Sequence, residues 1–346
     1  MRKADLIAPL VVLIAAGGCA TVPITGEPAL PVYAVAETVP VGTANEDAAD
    51  DPAIWRNPDD PAASLVVATD KKGGLYVYDL KGAQRSFTPA GRVNNVDLID
   101  LGDGQIVVIA SDRNDPLQAS LPVFLLDPGS GKLAAIGALS GGAGEAYGIC
   151  ARKDGSGIRV ASILKDGTVF EQHFGLSRGV VAPFVTAYPL RKVPSQAEGC
   201  VYDPRDGTLY VAEEDVGIWR FPAEGVGTLA APVDSRQLVA DVEGLAILPD
   251  GSDGGFLVAS SQGDNAFALF RLPDMVPAGR FRIAAGALGA TEETDGIEAK
   301  AGDFGPDYPR GIFIAQDGQN GSEAQNFKFV PLQSIFAAIE EGVAAR

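Results

Sequence analysis

Glu198-Gly199-Cys200-Val201, Glu243-Gly244-Leu245-Ala246 and Asp295-Gly296-Ile297-Glu298 are one phrase written three times: an acid, a glycine, an apolar residue. Related phrases stand earlier, at Asp51-Pro52-Ala53-Ile54, Asn95-Val96-Asp97-Leu98 and Tyr147-Gly148-Ile149-Cys150. From Asp97 the steps to Gly148, Gly199, Gly244 and Gly296 are 51, 51, 45 and 52 residues. A self-similar period of this length marks a propeller or solenoid, whose units cannot bury their apolar faces alone. Between the phrases run β-rich hairpins, such as Leu65 to Ala68 turning at Lys71 to Gly74 into Leu75 to Tyr78. Six such units predict an all-β fold, a six-bladed β-propeller. Val32 to Val41 is expected as a strand that closes the ring by completing the last blade. Leu332, Ile335, Phe336 and Ile339 fall at helical spacing, so a short C-terminal helix should pack on the outside.

Composition agrees. The 346 residues are 46% hydrophobic, with 42 glycines and 24 prolines spread among the apolar runs, which suits many short strands joined by turns. A formal charge of −18 makes nucleic acid and anionic membrane poor partners for the surface as a whole, and fits a protein that binds cations.

The N-terminus reads as an export segment over residues 1–19. Arg2 and Lys3 precede an apolar stretch from Leu6 to Ala16 that is too short to span a membrane as a mature helix. Ala16-Gly17-Gly18-Cys19 resembles a lipoprotein cleavage box, with Cys19 the residue to be lipidated; an ordinary signal peptide is the alternative. A flexible tether over 20–31 and one propeller domain over 32–346 follow. The protein is therefore expected outside the cytoplasm, in the bacterial envelope or secreted, and as a monomer. Cys150 and Cys200 occupy nearly equivalent places in successive repeats, where bridging distances are hard to meet. Two separately buried thiols are the preferred reading, with a disulfide in an oxidising compartment as the alternative.

Chemistry is bounded by what is missing. His173 is the single histidine and has no nucleophile elbow upstream, which leaves little material for a histidine phosphatase or a Ser-His-Asp triad. Zinc and its relatives want His or Cys. Oxygen ligands are plentiful, in clusters at Asp47, Asp50 and Asp51; Glu198; Glu213, Glu214 and Asp215; Asp241 and Glu243; and Asp295 with Glu298. That set suits calcium, a hard cation taking six to eight oxygens. Period-two spacing would put Asp241 and Glu243 on one face of a strand, a costly arrangement unless a cation lies between them. Lys71, Arg113 and Lys165 each follow an apolar strand in the first three repeats, which places cations beside Tyr147 on one sector of the same face, as a phosphate site requires.

These residues resemble the β-propeller phytases. The resemblance is carried, in order, by Asp47-Ala48-Ala49-Asp50-Asp51-Pro52-Ala53-Ile54-Trp55, Asn94-Asn95-Val96-Asp97, Ala212-Glu213-Glu214-Asp215, Asp241-Val242-Glu243-Gly244-Leu245, Ala259-Ser260-Ser261-Gln262-Gly263, Thr294-Asp295-Gly296-Ile297 and Ala315-Gln316-Asp317-Gly318. It implies several calcium ions, structural and catalytic, and 3-phytase chemistry on myo-inositol hexakisphosphate, preferably as its calcium complex. The implied cleft carboxylates are Asp50, Glu198, Glu214, Asp241, Glu243 and Asp295. The implied phosphate contacts are Lys71, Arg113, Tyr147 and Lys165, with Asp166 beside them where the family pattern has Glu. Asp51, Asn94, Asp97, Asp317 and Asn320 fall in segments associated with calcium or its supporting loops. The loop from Gly318 to Gln325 is short for the family, which puts a structural calcium site in question.

The expected chemistry is hydrolysis by metal-activated water, without a covalent intermediate. Two rivals remain at this stage. One is a non-catalytic calcium-stabilised binding propeller; the other is a calcium-dependent propeller lactonase or esterase. Neither assigns a role to Lys71, Arg113 and Lys165.

Overall fold

A computed structural model describes residues 24–184, 188 and 190–344 of the chain. Its strands form six separate sheets, arranged as the blades of a propeller. Blade 1 comprises Ala49–Trp55, Leu65–Asp70, Gly74–Asp79 and Gln84–Pro89; blade 2 Val93–Asp100, Ile106–Asp112, Gln118–Asp127 and Lys132–Ala143. Blade 3 comprises Ala146–Asp154, Gly157–Leu164, Thr168–Ser177 and Val180–Pro183, with Arg191–Lys192 also pairing to its third strand. Blade 4 comprises Ala197–Tyr202, Leu209–Glu213, Gly217–Phe221 and Thr228–Pro232; blade 5 Val242–Asp250, Gly254–Ser261, Ala266–Arg271 and Val276–Ile283. Ile297–Ala301, Gly311–Asp317 and Asn326–Pro331 make blade 6. In each blade the first strand faces the axis and packs on the first strands of its two neighbours.

Closure comes from the N-terminus, but differently from the expected single strand. Ala36–Glu37 runs antiparallel to Asn326–Pro331 as the outer strand of blade 6, while Leu30–Val32 adds a parallel fifth strand to blade 5. Part of the expected tether is also docked. The Gly26 amide donates to Asp264 at 2.8 Å, and the Glu27 amide to the Arg236 carbonyl at 2.7 Å. Arg280 reaches across to the Glu27 carbonyl and keeps its own carboxylate partner, Asp264. These polar anchors explain why the chain is held before its first strand begins.

Blade faces are apolar because alternate residues of each strand point to the same side. Buried side chains gather at each of the six interfaces between neighbouring sheets. Tyr76, Tyr78, Phe327 and Phe329 help fill the interface of blades 6 and 1, for example, and Val107, Ile158 and Phe174 that of blades 2 and 3. The C-terminal helix, Leu332–Ala344, adds Leu332, Ile335 and Ile339 to the interface of blades 5 and 6, as its periodicity predicts.

The repeated glycine is where backbones approach most closely. A Cβ on Gly148 would lie 1.9 Å from the Glu198 carbonyl oxygen, and one on Gly199 would lie 2.1 Å from that of Glu243. A Cβ on Gly296 would meet the Asp50 carbonyl at 2.5 Å. The phrase recurs because inner strands touch there without room for a side chain. The register also corrects the phase read from the sequence. The inner strands of blades 1 to 5 carry an irregularity at one place, between Ala49 and Pro52, Val93 and Val96, Ala146 and Gly148, Ala197 and Cys200, and Val242 and Leu245. Asn95, not Asp97, thereby stands at the phase of Gly148.

The offset of each cysteine from its close-packed glycine decides against two separate thiols. Cys150 lies two residues beyond Gly148 and faces blade 4, whereas Cys200 lies one beyond Gly199 and faces back to blade 3. Odd offsets point to opposite strand faces, so the two thiols meet. Their Cα atoms are 5.7 Å apart and a disulfide joins them.

Candidate active site

Six equivalent residues follow from the register: Asp50, Asn94, Tyr147, Glu198, Glu243 and Asp295 each precede the close-packed position of an inner strand. They form a crown of oxygen-bearing side chains at one end of the axis. A second ring surrounds it, set by one backbone bond repeated in every blade. The amides of Lys71, Arg113, Lys165, Glu214, Gln262 and Gly318 donate to the carbonyls of Ala48, Arg92, Glu145, Gln196, Asp241 and Glu292. Cations therefore occupy blades 1 to 3 of the outer ring, and an acid and an amide blades 4 and 5.

Glu198, Glu214 and Glu243 bring one carboxylate oxygen each within 4.8 Å of one another. Glu198 and Glu243 are buried, and burial raises the proton affinity of both carboxyls, with Asp50 and Asp295 adding to it. Glu214, half-buried, is raised in the same direction by burial, although the Gln196 amide bonded to it at 2.8 Å works against this. Asp295 is pushed up to about 7, by burial above all, with Lys71 opposing and Asp50 assisting. Lys71 turns inward, 2.8 Å from Asp47, 3.0 Å from Asp50 and 2.8 Å from Asp295. Burial works against its charge, but Asp50, Asp295, Glu198 and Asp47 outweigh that and hold the ammonium protonated.

One ammonium does not balance this ring of acids. Asp50 Oδ1, Asn94 Oδ1 and Glu243 Oε2 are buried acceptors with no hydrogen-bond partner. Buried polar atoms left unpaired are costly and call for an explanation. Carboxylates and amide oxygens converging on one point are the donor set of a hard divalent cation, and calcium fits them. Beside the crown opens a polar cleft of about 860 Å³, lined among others by Asp47, Asp241, Gln262, Asp295 and Asn320. That is room for a highly substituted small molecule.

The opposite sector is cationic. Lys165 Nζ lies 5.2 Å from the centre of the Tyr147 ring, and the Arg113 Nε is buried without a partner. Burial, then Glu198, Glu243 and Glu214, keeps the Tyr147 phenol protonated, a hydrogen-bond donor facing the glutamates.

Comparison with known proteins agrees with this geometry. The sequence profile of the phytase family matches residues 3–344. The chain belongs to the phytase family. It is 38% identical over 324 residues to the 3-phytase of Bacillus subtilis (strain 168), covering 88% of this chain and 84% of that protein. Two solved structures share its fold alone. One is a protein of unknown function from Bacteroides thetaiotaomicron VPI-5482, with a TM-score of 0.53, 8% identity and coverage of 89% of this chain and 75% of that one. The other is a glucose dehydrogenase, with a TM-score of 0.50, 13% identity and coverage of 83% and 98%.

Within this phytase-family site, some residues sit otherwise than their spacing predicts. The blade 5 strand begins at Val242, so Asp241 lies just ahead of it and does not share a strand face with Glu243. Burial and Asp215 raise its carboxyl, and its charge also acts on Glu214. Lys71 belongs to the crown and not to the open cationic sector. Asp166 is exposed at the rim, where its carboxylate pairs with Lys192 at 2.8 Å. Asp51 and Asp97 point along the axis below the crown, accepting backbone N–H bonds from Val96 and Ala151. With Glu298 they form a deeper acidic group in which burial raises Asp97 to about 6 and Glu298 to about 7. Asp317 and Asn320 lie outside the crown, against the Lys328 ammonium at 3.2 and 3.3 Å, with Asn320 on the wall of the cleft. Cys19 lies outside the described residues.

Two residues escape the sequence reading. Gln196 bridges Glu214 and the Tyr147 hydroxyl, and Gln262 donates to Asp295 at 2.6 Å. Gln262 stands in a stretch that carries the resemblance but received no role there, and nothing in the sequence marks Gln196.

Proposed function

We propose that this protein is a calcium-dependent 3-phytase, which hydrolyses phosphate monoesters of myo-inositol hexakisphosphate. The observation carrying this reading is a crown of acids with unpaired buried oxygens set directly beside a cationic sector. A protein built only to hold calcium has no use for that sector.

Asp50, Glu198, Glu214, Glu243 and Asp295 would hold calcium, assisted by Asn94. When bound, the ions supply positive charge that attracts phosphate and acidifies the attacking water. Arg113 and Lys165 grip phosphoryl oxygens and offset charge that grows on them during transfer. Tyr147 donates its O–H to the same group and fixes its orientation. Glu214, the half-buried glutamate with raised proton affinity, faces incoming solvent and takes the proton of the attacking water. Lys71 neutralises Asp47, Asp50 and Asp295 until the substrate arrives. The acidic cleft accepts the remaining phosphates as their calcium complex.

The reading also places the protein outside the cytoplasm, as a lipid-anchored or secreted monomer. The pattern from Arg2 to Cys19 supports it, as does the Cys150–Cys200 bond, since disulfides persist in oxidising compartments. Among the described residues no helix is long and apolar enough to cross a membrane.

The test is phosphate release from phytate in millimolar calcium and again with excess EGTA, with a lactone substrate as a control. Release that depends on calcium is expected. Lactone turnover without phosphate release would transfer the assignment to a lactonase, and neither activity would leave a binding propeller.

A further inference from the structure

A buried lysine stands where the ring closes. Lys328 lies in the third strand of blade 6, directly opposite Glu37 of the N-terminal strand, and is 0% exposed. Its ammonium donates to Glu37 and to Asn320 Oδ1 at 3.3 Å, and pairs with Asp317 at 3.2 Å. A lysine has three N–H donors, and here each has one oxygen. The remaining bonds of these acceptors hold them in place. Asp317 Oδ1 takes the Glu292 and Gln319 amides, and the Asn320 amide nitrogen is bonded to the Ala324 carbonyl. Gln325, ending the same short loop, clasps the Ala48 and Ala49 amides of blade 1.

The family resemblance puts Asp317 and Asn320 in a calcium-binding segment, and here the residues do not fit a metal. Calcium would need six to eight oxygens at the point the ammonium occupies. To admit it, Lys328 would have to carry its charge, with no partner, into the apolar side of blade 6 that Val330 shares with blade 5. We infer that Lys328 is a built-in substitute for a structural divalent cation, tying the N-terminal strand to the last blade so that closure of this ring needs no calcium. The inference concerns folding and is independent of the substrate.

The test uses calcium alone, by equilibrium dialysis and thermal unfolding of the full chain. Asp317→Asn should leave the number of bound calcium ions equal to that of the unaltered protein. Lys328→Met should lower Tm by roughly 5–10 °C in EGTA, because it strands Glu37 and Asp317. It should also bind one calcium ion more than its parent. Glu37, Asp317, Asn320 and the unpartnered Asn326 Oδ1 are the oxygens then free to take it. Millimolar calcium should return most of the lost Tm, beyond the gain the parent shows. Loss of one ion in Asp317→Asn would overturn the inference, as would a Lys328→Met protein that gains no ion and no calcium-dependent stability. If Lys328→Met does not fold, the Asp317→Asn stoichiometry decides alone.

Discussion

Lys165 and Lys71 follow equivalent strands and differ in what they face. Lys71 is surrounded by Asp47, Asp50 and Asp295, and its ammonium is committed before any ligand arrives. Lys165 is half-buried over the Tyr147 ring and free to reach an anion. Removing it should therefore act on phosphate and not on the fold. For Lys165→Ala, kcat/KM on phytate is expected to fall by about 10- to 100-fold, the loss of one charge-assisted contact. Circular dichroism and Tm should be unchanged. Full turnover in this variant would show that the cationic sector is misassigned.

At the scale of the strand, the close-packed glycines do more than permit turns. Gly199 lets the inner strand of blade 4 lie against the Glu243 backbone, and that contact sets the spacing of Glu198 and Glu243 in the crown. A Cβ there would sit 2.1 Å from a carbonyl oxygen of an equally constrained strand. Gly199→Ala should consequently destabilise by more than the usual cost of overpacking, about 1–3 kcal/mol. A lower yield of soluble protein, and a Tm depressed by several degrees, would be seen by expression and calorimetry. A neutral substitution would mean that the strands can slide apart without cost. The Cys150–Cys200 disulfide ties the neighbouring pair of inner strands, those of blades 3 and 4.

Across the whole molecule, the acids along the axis couple stability to pH. Burial first, and neighbouring acids for several of them, lift Asp97 to about 6, Asp295 and Glu298 to about 7, and Glu198 and Glu243 in the same direction. The folded, calcium-free chain then binds more protons than the unfolded chain, whose carboxyls titrate near 4. Such groups stabilise fully below the unfolded value, and that stability is lost as pH rises through the folded values. Tm in EGTA should fall from pH 5 to pH 8, whereas calcium, which requires the ionised carboxylates, should raise Tm more at pH 8 than at pH 5. Scanning fluorimetry over this range decides it; a calcium-free Tm that climbs with pH would contradict the burial of these acids.

What could be read without coordinates was whatever repeats. The period, the hairpins, the apolar stripe of the last helix and the acids at matching phases are local patterns, and local pattern determines strand, turn and unit. Six units imply a closed ring, and a closed ring brings Asp50, Glu198, Glu243 and Asp295 together. The tertiary structure alone decided which way each side chain points. The irregularity shared by the inner strands puts Asn95, not Asp97, at the phase of Gly148, and the packing of blades 3 and 4 brings Cys150 and Cys200 together from their facing sides. Long polar side chains turn toward whatever partners other blades supply. That is why Lys71 meets Asp295, Gln196 reaches Tyr147, Gln262 reaches Asp295 and Lys328 meets Glu37 of the N-terminal strand. Those partners lie far away in sequence, and only folding makes them neighbours.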